Sequence, residues 1–202
     1  MNIKVNYHNS ILIDNRIYVD PLKVNGKVKA EYIFITHPHW DHFSVDDIKK
    51  ILSSDTKVIC PKTMKKDIEN IFNNQIMFVE PEQTYNIDDI KFSTIYSYNI
   101  DKQFHPKQNL WVGYILEIGD DRVAIVGDSD NTAELQKVKT DILLIPIGGH
   151  YTMNATEAAE ATNIINPKKV IPTHYGEIVG NKTIRNDFKR LLNSNIDCEL
   201  QI

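Results

Sequence analysis

Short apolar runs separated by polar turns fill the chain, and their period changes along it. Ile3-Lys4-Val5-Asn6-Tyr7 alternates, Ile11-Leu12-Ile13 is apolar, and Asp14-Asn15 offers a two-residue turn into Arg16-Ile17-Tyr18-Val19. That predicts a small β-meander over 3–19, closed by Asp20-Pro21. After a loop over 23–30, Tyr32-Ile33-Phe34-Ile35 reads as a buried strand. Ser44 then predicts a helix N-cap with Asp47 in the first turn, and the helix runs over 45–52. A strand is expected over 57–60, and Pro61 is expected to open a second helix over 62–72. Short strands follow over 77–79, 84–85 and 91–96.

The stretch 97–109 is polar and irregular and contains His105-Pro106-Lys107, which marks a functional loop. Strands over 111–118 and 122–126 predict a hairpin across Gly119-Asp120-Asp121. A short helix is expected over 133–137 and a buried strand over 141–146. Asn154 caps a helix over 155–165, with Glu157 as capping-box partner. A strand over 169–172, a helix over 184–192 capped by Thr183, and a final strand complete the chain. Strands alone at first, then strands mixed with helices, predict an α/β (α+β) protein of sheets covered by helices.

At 202 residues the chain is expected to form a single domain over 1–202 with a core that needs no staples. There is no tandem repeat and no linker composition. The net charge of −4, without a long basic run, argues against a dedicated nucleic-acid surface. Cys60 and Cys198 fall in strand-like contexts and read as small buried side chains, without metal or redox spacing. No basic region followed by an apolar run marks a secretory signal, and no stretch approaches the ~20 apolar residues of a membrane span. The expected setting is the cytoplasm, the expected partner a small-molecule substrate, and a homo-oligomer stays open.

The chemistry concentrates in Thr36-His37-Pro38-His39-Trp40-Asp41-His42, at the end of the expected strand over 32–35. Residues two apart on an extended chain point the same way, so His37 and His39 can converge on one ion while Asp41 and His42 reach a second. Imidazole and carboxylate ligands suit zinc first, and also manganese or iron. Elsewhere an apolar strand ends and a His or Asp follows at once, at Asp128 and His174; His150 follows Gly148-Gly149 similarly. A dinuclear site needs two sets of ligands. His37, His39 and His105 complete one metal, Asp41, His42 and His174 the other, and Asp128 bridges them.

This order of motifs resembles the metallo-β-lactamase superfamily. Phe104-His105-Pro106-Lys107, Gly127-Asp128-Ser129-Asp130, Pro146-Ile147-Gly148-Gly149 with Tyr151-Thr152-Met153, and Pro172-Thr173-His174-Tyr175-Gly176 are similar to its small hydrolase branch. That branch includes L-ascorbate-6-phosphate lactonase and N-acylphosphatidylethanolamine-hydrolysing phospholipase D. The resemblance implies a four-layer αββα sandwich, the metallo-β-lactamase fold, with two divalent metal ions at one edge of the sheets. It also implies hydrolysis by a bridging hydroxide of a small anionic substrate such as a phosphodiester or phosphorylated lactone. Asp41 would orient the nucleophile, and His150 and Tyr175 would act on substrate oxygens. Asp20 would orient a ligand histidine, Lys107 would hold an anionic group, Trp40 would form an apolar wall, and His8 reads as structural. The alternatives are a non-hydrolytic metal-binding sensor or scaffold, and a thioesterase or lactonase without phosphate preference.

Overall fold

Each half of the chain starts with antiparallel strands and ends with parallel ones. The computed structural model describes residues 1–73 and 75–202, which form two compact units, Met1–Glu80 and Pro81–Ile202.

In the first unit β1 (Ile3–Tyr7), β2 (Ser10–Ile13) and β3 (Ile17–Val19) make the expected meander. Asp14 and Asn15 turn it at φ 48° and 54°, with the Arg16 N–H donating to the Ile13 carbonyl at 3.0 Å. Two left-handed residues make the turn whose twist matches a hairpin, and Asp and Asn tolerate that region best after glycine. Then β4 (Tyr32–Phe34), β5 (Lys57–Pro61) and β6 (Gln75–Val79) add in parallel, giving a six-stranded sheet in sequence order. Helices α1 (Val45–Ile51) and α2 (Lys65–Ile68) lie in the two crossovers.

Register fixes which side chains meet the helices. Leu12, Tyr18, Ile33 and Val58 are direct partners across four strands, and all pack with Ile48, Ile51, Met64 and Ile68. Their neighbours Ile11, Ile13, Ile17, Val19, Phe34 and Ile59 point to the other face and are buried as well. A sheet buried on both faces explains why these strands read as continuous apolar runs rather than alternating ones.

In the second unit β7 (Thr84–Ile87), β8 (Ile90–Tyr96), β9 (Val112–Ile118) and β10 (Asp121–Ile125) are antiparallel. The sheet continues in parallel with β11 (Ile142–Pro146), β12 (Lys169–Thr173) and β13 (Asp197–Cys198). The row Ile115, Ala124, Leu143, Val170, Cys198 runs across five strands in register. It packs with Ala158, Ala161 and Ile165 of α3 (Ala155–Ile165) and Phe188 of α4 (Ile184–Arg190). The expected capping box of α3 is present: the Asn154 side chain accepts from the N–H groups of Thr156 and Glu157, and Glu157 accepts from the Asn154 N–H.

Three expectations are corrected. Pro61 ends β5 instead of opening a helix, and the segment after it is a 3-10 turn, Lys62–Met64, leading into the single turn of α2. Met64, Ile68 and Phe72 are buried, but Met64 sits at φ −81°, ψ 2°, outside the α well. The helix expected over 133–137 is likewise a 3-10 turn, Leu135–Lys137. Thr183 is itself helical and makes no side-chain cap bond. Asn181 serves instead, its Oδ1 accepting the Thr183 N–H at 2.8 Å. No helix among the described residues is long and apolar enough to cross a membrane.

Candidate metal centre

The two units each deliver a set of ligand-type side chains from the ends of their strands. In the first unit β4 leads into the histidine loop, which closes on itself when the N–H groups of His42 and Phe43 donate to the His39 carbonyl at 2.9 and 2.8 Å. Four residues on, Ser44 caps α1 by accepting from the Asp47 N–H. The loop is therefore held between a strand end and a capped helix start.

Beneath it lies Asp20, fully buried. Its Oδ1 accepts the Thr36 N–H at 2.8 Å, and its Oδ2 accepts Thr36 Oγ1 at 2.7 Å, Asn9 Nδ2 at 2.8 Å and His42 Nδ1 at 2.8 Å. Because the Thr36 hydroxyl gives its proton to Asp20, its oxygen accepts from His37 Nδ1 at 3.0 Å. One carboxylate thus assigns the same tautomer to two histidines: the Nδ1 protons are held and the Nε2 atoms carry lone pairs, the form that ligates a metal.

The geometry of the loop fits an ion. His37 Nε2 and His39 Nδ1 face each other at 3.1 Å. Two imidazole nitrogens on one tetrahedral zinc, each about 2.05 Å from it, stand about 3.3 Å apart. A ligand-type atom of Asp41 lies within 4.8 Å of one on His42 and one on His8. His8 was expected to be structural; its Nε2 is 3.1 Å from Asp41 Oδ2. Trp40, between His39 and Asp41, is 68% exposed.

In the second unit Asp128 lies three residues beyond the end of β10, His174 directly follows β12, and the loop after β8 carries His105. All three side chains are buried. Asp128 Oδ2 is 3.2 Å from His105 Nε2 and 3.0 Å from His174 Nε2. One carboxylate oxygen flanked by two imidazole nitrogens is a donor set that could hold a metal ion. Asn99 orients His105: its Oδ1 accepts from the His105 backbone N–H at 3.0 Å and from Nδ1 at 2.9 Å, which leaves the lone pair on Nε2. Its amide is in turn pinned to Asp130 Oδ1 and the Tyr151 carbonyl. His174 stands at φ 57°, where its carbonyl lies against Gly148. A Cβ on that glycine would come within 2.2 Å of the His174 oxygen, so only glycine lets the two loops lie so close.

The residues expected to touch substrate part ways. His150 is exposed, with its ring 5.3 Å from that of Phe104 and 4.5 Å from that of Tyr151. Tyr175 is buried in the core with Phe188, and its hydroxyl donates its one proton to the Ile202 carbonyl. The structure gives it a packing engagement in place of the expected role on a substrate oxygen, and burial pushes the phenol up, against the pull of Arg185. Lys107 is committed too: its ammonium is 2.5 Å from Glu134 Oε1 and lies over the rings of Tyr96 and Tyr98. From sequence His8 was expected to be structural, and Asn9 and Thr36 were given no role. Only Thr36, adjacent to the histidine run, carries a local signal.

Imidazoles and carboxylates set in this way at the ends of parallel strands define a metal-dependent hydrolase. The chain belongs to the beta-lactamase superfamily: the family model described as Beta-lactamase superfamily domain matches residues 2–174. It is 34% identical over 185 residues to a UPF0173 protein of Pyrococcus abyssi, covering 91% of this chain and 82% of the other. Among solved structures it is similar to a protein of Parabacteroides distasonis described as a metal-dependent hydrolase. That match has a TM-score of 0.86 and 30% identity, covering 98% of this chain and 91% of that one. A metallo-beta-lactamase fold protein of Bacillus subtilis superposes with a TM-score of 0.72 at 11% identity, over 94% of this chain and 86% of that one. The fold is that of the metallo-β-lactamases.

Proposed function

We propose that the chain is a dinuclear hydrolase, with zinc as the expected metal, acting on a small anionic substrate such as a phosphodiester or phosphorylated lactone. The two units would work as one catalytic domain, as the single family match across residues 2–174 supports. His37, His39 and His105 would hold one ion, Asp41, His42 and His174 the other, and Asp128 both. The observation that carries this reading is Asp128 Oδ2, placed 3.2 and 3.0 Å from two imidazole nitrogens. A lone structural aspartate needs one such partner; a shared oxygen suits a bridge.

When bound, the ions would acidify a water and polarise the carbonyl or phosphoryl oxygen of the substrate. The chain's own groups supply the rest. Asp41 accepts a proton-bearing bond from the attacking water and aims it. His150, on its exposed glycine loop, hands a proton to the departing oxygen. Asp20 and Asn99 hold three ligand histidines in the tautomer the chemistry requires, so the site is ordered before substrate arrives. The two buried thiols, both free, suit the reducing cytoplasm.

A second reading, a lactonase or thioesterase without phosphate preference, is favoured by one observation. Lys102 and Lys107, the lysines flanking His105, are each paired, at 2.5 Å, with Asp130 and Glu134. Metal content and hydrolysis of bis(p-nitrophenyl) phosphate and of a simple lactone, with a His39→Ala control, test both readings. Diester turnover lost in the control supports the first, and lactone turnover alone supports the second. Bound metal without turnover on either substrate class sinks the hydrolytic mechanism proposed here and favours a sensor or scaffold.

A further inference from the structure

The tip of the first hairpin is in an unusual place. Tyr7 pairs with Ser10 across it, so His8 and Asn9 are its two turn residues. Hairpin tips normally face solvent, and the first position of a turn with positive φ belongs to glycine or asparagine. Here His8 stands at φ 55°, and both residues are buried, His8 at 0% and Asn9 at 1% exposure.

Both side chains run to carboxylates beside the histidine loop. Asn9 Nδ2 donates to Asp20 Oδ2 at 2.8 Å. His8 Nε2 lies 3.1 Å from Asp41 Oδ2. The next residue continues the pattern, since Ser10 Oγ accepts the Leu22 N–H at 3.0 Å and ties down the segment after Asp20. Three consecutive residues, the two of the turn and the first of β2, therefore grip the loop and its support.

We propose that His8 is a positioning residue for Asp41, holding its carboxylate by an Nε2–H donated to Oδ2. The proposal rests on the reading of Asp41 as a metal ligand. The 3.1 Å separation is that of a charge-assisted N–H···O bond, whereas His42 Nε2 stands 3.7 Å from the same oxygen. A carboxylate has about four lone-pair sites, so one bond from His8 leaves others for an ion. The bond spans 33 residues of sequence and fixes the one ligand of the loop that is not an imidazole. Glycine would fit the turn without strain, so the imidazole brings the position its reach, not its backbone.

Three variants separate positioning from packing. In His8→Gln the amide nitrogen reaches the place of Nε2. In His8→Asn it falls short, but the backbone is more at ease at positive φ. In His8→Gly the strain and the donor both go. Metal-depleted protein would be titrated with zinc against a competing chelator, and its melting followed without metal. We expect zinc affinity to fall about 10- to 100-fold in the Gly and Asn variants. The Gln variant should stay within about threefold of wild type, although its backbone is the more strained of the two amides. Wild-type affinity in the Gly or Asn variant, or a Gln variant as weak as Asn, overturns the proposal. Wild-type protein that binds no zinc overturns the ligand reading of Asp41 itself, and is told apart by that result alone.

Discussion

Asp20→Asn is the substitution that bears hardest on the site without removing a ligand. The side chains are nearly the same size, so the loss is one of charge and acceptor count. Oδ1 receives one bond and Oδ2 three. The amide does least harm with its oxygen toward the three donors, which turns its NH2 group toward the Thr36 N–H. One buried donor is then left facing another, at a cost of about 1–3 kcal/mol. The three bonds that persist fall from charge-assisted to neutral, about 1 kcal/mol each. Relief from burying a charge offsets part of this, about 1–3 kcal/mol. The net is about 1–5 kcal/mol, and at about 2–4 °C per kcal/mol for a chain of this size the metal-free protein should melt roughly 2–20 °C lower. Zinc affinity should fall about tenfold, because the proton on His42 Nδ1 has a weaker acceptor. Circular dichroism melting and a chelator competition measure the two effects. A variant that melts within about 2 °C of wild type and binds zinc as tightly would refute the view that this carboxylate organises the loop.

Three further outcomes are expected. Gly148→Ala brings a methyl within 2.2 Å of the His174 carbonyl and 2.7 Å of Val179, and should cost about 1–3 kcal/mol in urea unfolding along with weaker metal binding. Cys60, whose thiol burial pushes up to about 12 with help from the Asp67 charge, should not react with a disulfide reagent at pH 8 until the protein is unfolded. For Asp47, burial works upward but is outweighed by hydrogen bonds from Lys50, the Lys23 N–H and Ser44, which leave its carboxyl below the usual carboxylate range. A depressed folded value stabilises above the unfolded one, so Asp47→Asn should be less stable than wild type at neutral pH. The difference should close as acid titration passes below the folded value.

The parts of the site that were legible in sequence share a cause. His37, His39, Asp41 and His42 lie in six residues, and His105, Asp128 and His174 each follow a strand or sit in a polar loop, so local pattern exposes them. Asp20 came only with the family resemblance, because a carboxylate just before a proline at a strand end reads equally well as a turn residue. His8, Asn9 and Asn99 were not legible, because their roles depend on partners up to 52 residues away, as in the bond from Asn99 to the Tyr151 carbonyl, and a turn residue looks the same whether wet or buried. Tyr175 misled for the reverse reason: adjacency to a ligand says nothing about direction, and its side chain turns into the core. In the fold, most strands were found because they carry apolar runs, as Ile142–Pro146 does. The helix expected over 62–72 overran because a proline that ends a strand, as Pro61 does, looks the same in sequence as one that opens a helix.

The chain contains two tryptophans, and each stands beside a ligand of a different unit. Trp40 lies between His39 and Asp41 and is 68% exposed, while Trp111 is 8% exposed with its ring 5.6 Å from that of His105. Their emission should separate by colour, red-shifted and open to acrylamide quenching for the first, blue-shifted and shielded for the second. On the ligand assignment proposed above, an ion held by His37, His39 and His105 should change both bands together, whereas one held by Asp41, His42 and His174 should change the red band alone.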